Sequence, residues 1–404
     1  MVISGRYRNQ QVTLSVKPNC LTVSLEKEAE ARVYSYDYTG RLWTALVENV
    51  SYRRGLDGKV VAKWQVGEGR ERRWLASAEA LQLQESARQI MSELYRAIQA
   101  GHLALNMEIP PQARLGFERL IAFDPQHAGE DVQRYYQVYR KIGILPPDQY
   151  MAVVLQATEG CSFNTCTFCD FYRDRPFRIK RPEEFKRHAE EVKAFIGDGM
   201  SLRRTIFLGD ANALVTPMPR LVPLIEAVHQ VYDVEQMGGL YAFLDGFSGE
   251  KKSPRDYELL ARRGLKRVYL GFESGNENLL KFLKKPGKPE DAVHAVRAMK
   301  AGGVAVGIII LLGAGGQAYA QKHVEDTIRC INAMRLDADD LVYFSELVTS
   351  EGMEYVRAAY QANLKPLSPE ERLAQGEAIE KGLEFSRKGG MPHISRYDIR
   401  EFVY

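Results

Sequence analysis

The chain has 404 residues, 45% of them apolar and 26% charged, too long for one small core and ordinary in composition for a globular protein. Its 55 basic and 52 acidic side chains leave a formal charge of +3, so the balance offers no electrostatic case for a nucleic-acid or membrane partner. The N-terminal residues lack the basic, apolar and small-residue zones of a secretory signal, and the most apolar stretch, 304–312, falls well short of the ~20 residues of a membrane helix. A soluble, cytoplasmic protein is expected.

The first hundred residues read as a small antiparallel sheet. Segments 12–16, 31–38, 41–47 and 59–66 are rich in Val, Tyr, Trp and Thr, with turn signals such as Asp57-Gly58 between them. A helix follows over about 77–99, with apolar positions at Leu81, Ala87, Ile90, Leu94 and Ile98. This gives an N-terminal β domain with a helix over 1–105 and a helical linker over 106–148, ending at the Leu145-Pro146-Pro147 break.

The rhythm then changes. Apolar runs at 151–155, 205–208, 240–244, 267–270, 304–312 and 341–347 alternate with helical stretches such as 183–196, 219–232 and 291–301. Six strands alternating with helices predict parallel β/α units covered on both faces. Six units suit a partial (β/α)6 barrel over 149–350. Residues 351–404 read as a C-terminal helical extension with a polar end from His393.

Five cysteines are an odd number, and three of them, Cys161, Cys166 and Cys169, fall within nine positions. A disulfide scaffold would show even, distributed cysteines in a short secreted chain, so a thiol cluster in a long chain points to metal in a reducing compartment. Three thiolates on one loop can hold three irons of a four-iron cluster and leave the fourth iron open to a non-protein ligand. Zinc with a fourth ligand such as His188 is the alternative, although zinc usually draws on two separated pairs. Cys20 and Cys330 read as small buried apolar residues.

The segment from Cys161 to Cys169, with Phe168 before the third cysteine, resembles the signature loop of radical S-adenosylmethionine (radical SAM) enzymes. Its ending, Phe168-Cys169-Asp170-Phe171, is similar to the subgroup containing oxygen-independent coproporphyrinogen oxidase and the elongator catalytic subunit. One departure is four residues between the first two cysteines, where the commonest family spacing has three. The resemblance spans roughly residues 150–360 and implies one [4Fe–4S] cluster and S-adenosylmethionine. It also implies cleavage to a 5′-deoxyadenosyl radical that abstracts hydrogen from a small-molecule or unidentified substrate, and an external electron donor of flavodoxin or ferredoxin type. Too few cysteines remain for a second three-thiolate cluster.

Further positions follow from the resemblance, because barrel enzymes bind at the ends of their strands. Strand two ends in Gly209-Asp210-Ala211-Asn212, a loose match to the family's Gly-rich turn, and Gly209, Asp210 and Asn212 are expected near the cofactor. Strand three ends in Asp245, which could face substrate or cap a turn. Strand four ends in Gly271-Phe272-Glu273-Ser274-Gly275, where Glu273 and Ser274 match the segment whose acid meets the cofactor's ribose or methionine part. A helix-start carboxylate is the alternative for Glu273, and the glycines on both sides, which permit close backbone approach, favour the functional one. Strand five places Ile310 and Leu312 against the adenine, and on strand six Tyr343 and Glu346 could face substrate. The basic run Arg173, Arg175, Arg178, Lys180 and Arg181 reads mainly as a solvated face, with one or two side chains turned inward. The different class that stays open is a metal- or cluster-containing nucleic-acid-binding protein, with the Tyr- and Arg-bearing N-terminal sheet as contact surface.

Overall fold

The computed structural model describes residues 1–28, 30–67, 69–249, 251–385 and 389–404. The chain forms two compact units, the first comprising Met1–Ile142, Glu190–Arg204 and Glu401–Tyr404, the second Gly143–Ala189 and Thr205–Arg400.

The first unit is built on an antiparallel meander of β1 (Val2–Tyr7), β2 (Gln10–Val16), β3 (Leu21–Lys27), β4 (Glu30–Tyr36), β5 (Leu42–Val47), β6 (Val50–Arg54), β7 (Val60–Val66) and β8 (Gly69–Trp74). The two-residue β9 (Ala104–Leu105) pairs beside β1. Two hairpins turn through residue pairs with positive φ, Arg8-Asn9 and Glu48-Asn49, the backbone that matches strand twist in a two-residue turn. Alternation selects the buried face. Val12, Leu14, Val23 and Leu25 point into a core shared with Met91 and Leu94 of helix Ser77–Gln99 and Phe117 of helix Pro111–Ala122. The sheet exceeds the sequence expectation at strands such as β8, whose Gly-Arg-Glu-Arg-Arg-Trp carries no apolar alternation and lies almost wholly exposed at the edge.

The second unit holds β10 (Ala152–Gln156), the short pair β11 (Thr158–Glu159) and β12 (Arg178–Ile179), then β13 (Thr205–Gly209), β14 (Leu240–Leu244), β15 (Leu265–Glu273), β16 (Ala305–Leu312), β17 (Leu341–Glu346) and β18 (His393–Tyr397). Seven of these form one all-parallel sheet in the order β10-β13-β14-β15-β16-β17-β18. Helices such as Met218–Val231, Pro289–Ala301 and Gly316–Met334 connect them. Burial on both faces explains the unbroken apolar runs, since β10 is buried at every position and β16 at all but its first.

The seventh strand corrects the six expected. The tail read as a polar end contributes β18, paired in parallel with β17 from Leu341↔His393 to Ser345↔Tyr397. His-Ile-Ser-Arg-Tyr is a half-buried edge strand, so no apolar run announces it.

Candidate active site

The cysteine loop leaves β10 and is gathered at its neck by the β11–β12 pair. Arg178 binds Glu159 with two nitrogens (2.8 and 2.7 Å), and Lys180 Nζ donates to the Gln156 carbonyl and sits 2.9 Å from Glu159. Burial alone would raise the Glu159 carboxyl, but Arg178 and Lys180 outweigh it and hold it at about 2. Within the loop, Arg173 donates to the carbonyls of Cys166 (2.8 Å) and Cys169 (3.3 Å). Arg175 pairs with the buried Asp210. The basic run therefore ties the loop together more than the solvated-face expectation allows.

The residues between Cys161 and Cys166 turn back through Asn164, which adopts a left-handed backbone and donates from its side chain to the Tyr172 carbonyl (2.9 Å). That turn takes up the longer spacing. The outer edge of the loop is pinned by Thr167, whose N–H donates to the Leu283 carbonyl and whose own carbonyl accepts from Tyr355.

Cys161, Cys166 and Cys169 line one cavity of about 450 Å³, within the range of about 300–1,000 Å³ usual for small-molecule and cofactor sites. Burial pushes the Cys169 thiol up to about 12 and raises that of Cys166. Cys20 and Cys330 are buried elsewhere. His188, the alternative fourth zinc ligand, is committed to the fold, because its Nε2 accepts from the Gln156 N–H at 3.0 Å.

The other walls come from the C-terminal ends of the strands, as a barrel active site requires. Asn212 follows β13 and reaches both Ser162 (3.0 Å) and Asp245. Asp245 follows β14 and does two things at once, facing the cavity and accepting from the Ser248 N–H at 2.6 Å as a turn cap. Glu273 ends β15 at φ +61°, where the pairing with β16 shifts register, and its carboxylate lies 3.1 Å from Lys285. A Cβ at Gly271 would come within 2.5 Å of Glu273 Oε1, so a side chain there would displace the carboxylate. Lys285 also lines the cavity. Burial would lower its pKa, but Glu273 and the Cys166 sulfur raise it above the ordinary value, so it stays an ammonium.

The remaining expected residues are placed as follows. Phe168 lines the cavity and packs against Leu279, Leu283 and Leu311. Gly209 and Asp210 do not face it. The Gly209 carbonyl accepts from Thr158, while Asp210 accepts from Gln156 Nε2 (2.7 Å), the Gly160 N–H (3.0 Å) and Arg175. Burial raises the Asp210 carboxyl against the pull of these partners. Ser274 lies wholly buried behind Glu273. Ile310 and Leu312 are fully buried on the far side of β16, and Ile309 and Leu311 face the cavity instead, a one-residue correction that strand alternation imposes. Tyr343 is buried and donates to Asp148 (2.9 Å) rather than facing the cavity, whereas Glu346 faces it and pairs with Arg372.

Lys285, Ser345, Tyr397 and Arg400 line the cavity without having been singled out in the sequence. Lys285 sits in Lys284-Lys285-Pro286-Gly287, indistinguishable by pattern from a solvated turn. Tyr397 and Arg400 arrive with the unforeseen β18.

Residues 155–330 match the family model described as the Radical SAM superfamily. The match covers the greater part of the barrel, and the superfamily it describes is one of enzymes. No curated protein matches the chain. Among solved structures, the cobalamin-dependent S-adenosylmethionine radical enzyme OxsB is similar over 57% of this chain and 31% of that one, at 16% identity and TM-score 0.38. Coproporphyrinogen III oxidase (HemN) from Escherichia coli is similar over 62% and 54%, at 12% identity and TM-score 0.42. Elp3 from the archaeon Methanocaldococcus infernus is similar over 52% and 55%, at 14% identity and TM-score 0.37. The chain thus spans about half the length of the last two and under a third of the first. Among the described residues, no helix is long and apolar enough to cross a membrane.

Proposed function

We propose that the chain is a radical SAM enzyme that holds one [4Fe–4S] cluster through Cys161, Cys166 and Cys169 and binds S-adenosylmethionine in the adjoining cavity. The observation that carries this reading is that all three thiols open onto the same cavity as the strand-end groups Asn212, Asp245, Glu273 and Lys285. The donor set fits the cluster: three sulfurs from one loop serve three irons and leave one for an outside ligand. Zinc fits less well, since His188 is already an acceptor for the backbone.

When bound, the reduced cluster supplies the electron that cleaves the sulfonium of S-adenosylmethionine to methionine and a 5′-deoxyadenosyl radical, which takes hydrogen from substrate. This chain's residues bind, orient and exclude water. Glu273 and Asp245 are placed to accept from ribose hydroxyls or the amino group, and Lys285 to meet a carboxylate. Ile309 and Leu311 offer an apolar wall to the adenine, with Phe168 beside the cysteines. Gly209, Asp210 and Ser274 support from behind. The electron comes from an external donor of flavodoxin or ferredoxin type.

Anaerobic reconstitution tests the reading. About four irons and four sulfides per chain are expected, and S-adenosylmethionine with a strong reductant should then yield 5′-deoxyadenosine. Zinc in place of iron, or a loaded cluster that yields no 5′-deoxyadenosine, contradicts it.

A further inference from the structure

Glu273 holds a left-handed backbone that side-chain-bearing residues rarely adopt, and such a conformation persists where the surroundings over-determine it. The determinants lie behind the turn, on helix Gly316–Met334. Ser274 Oγ stands 2.6 Å from His323 Nδ1 and accepts from the Asn276 N–H at 3.0 Å. That N–H takes one of the hydroxyl's two acceptor sites, and the Ser274–His323 hydrogen bond runs in either direction according to the imidazole tautomer. Thr327, one turn along the helix, accepts from the Gly275 N–H (2.9 Å) and lies 3.3 Å from the same Nδ1. Asp326 accepts from Asn276 Nδ2 at 2.7 Å. No Cβ fits at Gly275, where it would meet the Asp326 carbonyl oxygen at 2.2 Å.

His323 itself is fully buried and does not line the cavity. Burial lowers its pKa to about 4, with the Leu311 backbone and Asp326 acting the other way, so near neutral pH the ring is uncharged. Leu311 is one of the two β16 residues that face the cavity. The imidazole therefore stands between the turn that carries the acid and the strand that forms the apolar wall.

We propose that His323 is a positioning residue for Glu273: by hydrogen-bonding the Ser274 hydroxyl it locks residues 273–276 in the backbone state that points the Glu273 carboxylate into the cavity beside Lys285. The proposal rests on the reading that Glu273 meets bound S-adenosylmethionine, and it goes further in naming what aims that carboxylate.

The test is equilibrium binding of S-adenosylmethionine to the iron-loaded protein, with iron per chain and thermal unfolding measured alongside. Glu273→Gln and His323→Phe should each weaken binding about ten-fold, the worth of one charge-assisted hydrogen bond. The double variant should bind no more weakly than Glu273→Gln alone, because both act through one carboxylate. His323→Asn, which returns an acceptor near Nδ1, should recover most of the loss. Iron content should stay at the unsubstituted level throughout. Should His323→Phe fail to fold, Ser274→Ala removes the same hydrogen bond and enters the same cycle. Full affinity in His323→Phe or Ser274→Ala while Glu273→Gln weakens binding overturns the proposal and leaves the role of Glu273 intact, and so do losses that multiply in the double variant. Undiminished binding in Glu273→Gln overturns the role of Glu273 and this proposal with it.

Discussion

Asp210 and Glu273 stand at the C-terminal ends of β13 and β15, one and two residues after a glycine, and both suggest cofactor contact by their position in the chain. Their surroundings separate them. Asp210 is ringed by an amide, a backbone N–H and a guanidinium, and its carboxylate holds the cysteine loop to β13. Glu273 meets a single cation at the cavity wall. An acid at a strand end becomes part of the scaffold when donors from its own fold saturate it. It remains available for a ligand when they do not.

The largest effect should fall on the loop that Asp210 supports. Changing Cys161, Cys166 or Cys169 to Ala should abolish bound iron–sulfur cluster, whereas Cys20→Ala should leave iron content unchanged, as read by iron and sulfide analysis. Equal loss from Cys20→Ala would mean the ligands are misassigned. Next, Asp210→Ala removes the buried carboxylate that accepts from Gln156, the Gly160 N–H and Arg175, and should cost about 3–5 kcal/mol in urea unfolding, with weaker cluster retention. A variant as stable as the unsubstituted protein would erase the distinction from Glu273. On β16, Ile310→Ala should cost about 2–5 kcal/mol as a core truncation, while Ile309→Ala should act mainly on ligand binding. The reverse ranking would show the parity of the strand to be misread.

A smaller effect concerns the support behind Glu273. With a folded pKa near 4 against 6.5 in the unfolded chain, His323 is protonated first in the unfolded state. Its contribution is complete above pH 6.5 and fades as pH falls toward 4, amounting to about 2 kcal/mol lost between pH 6.5 and 5. Unfolding of the unsubstituted protein and His323→Asn over that range should diverge accordingly, and parallel curves would remove the buried neutral imidazole from the account. Last, Glu273→Gln keeps an amide oxygen toward the Lys285 ammonium and should cost about 1 kcal/mol, well below Asp210→Ala. A large loss of stability there would make Glu273 scaffold as well.

The cysteine loop and the alternation of strands and helices are legible in the sequence because three thiols in nine positions and fully buried parallel strands leave dense local signals. The wall at β18 is not, because a half-buried edge strand such as His393–Tyr397 carries no periodicity to read. Ile309 and Leu311 were one residue from the expected pair, since a strand apolar on both faces does not declare which side faces inward. Lys285 and His323 were hidden for a different reason. Each matters through a partner distant in the chain, 12 residues away at Glu273 and 49 at Ser274, and no local pattern records such a pairing.

The most direct measurement is the electron paramagnetic resonance spectrum of the reduced, reconstituted protein with and without S-adenosylmethionine. The account predicts a cluster signal whose g-values move when the ligand is added, because one iron lacks a protein donor and takes the ligand there. A signal unchanged by saturating ligand, with every iron already held by a side chain, would contradict it.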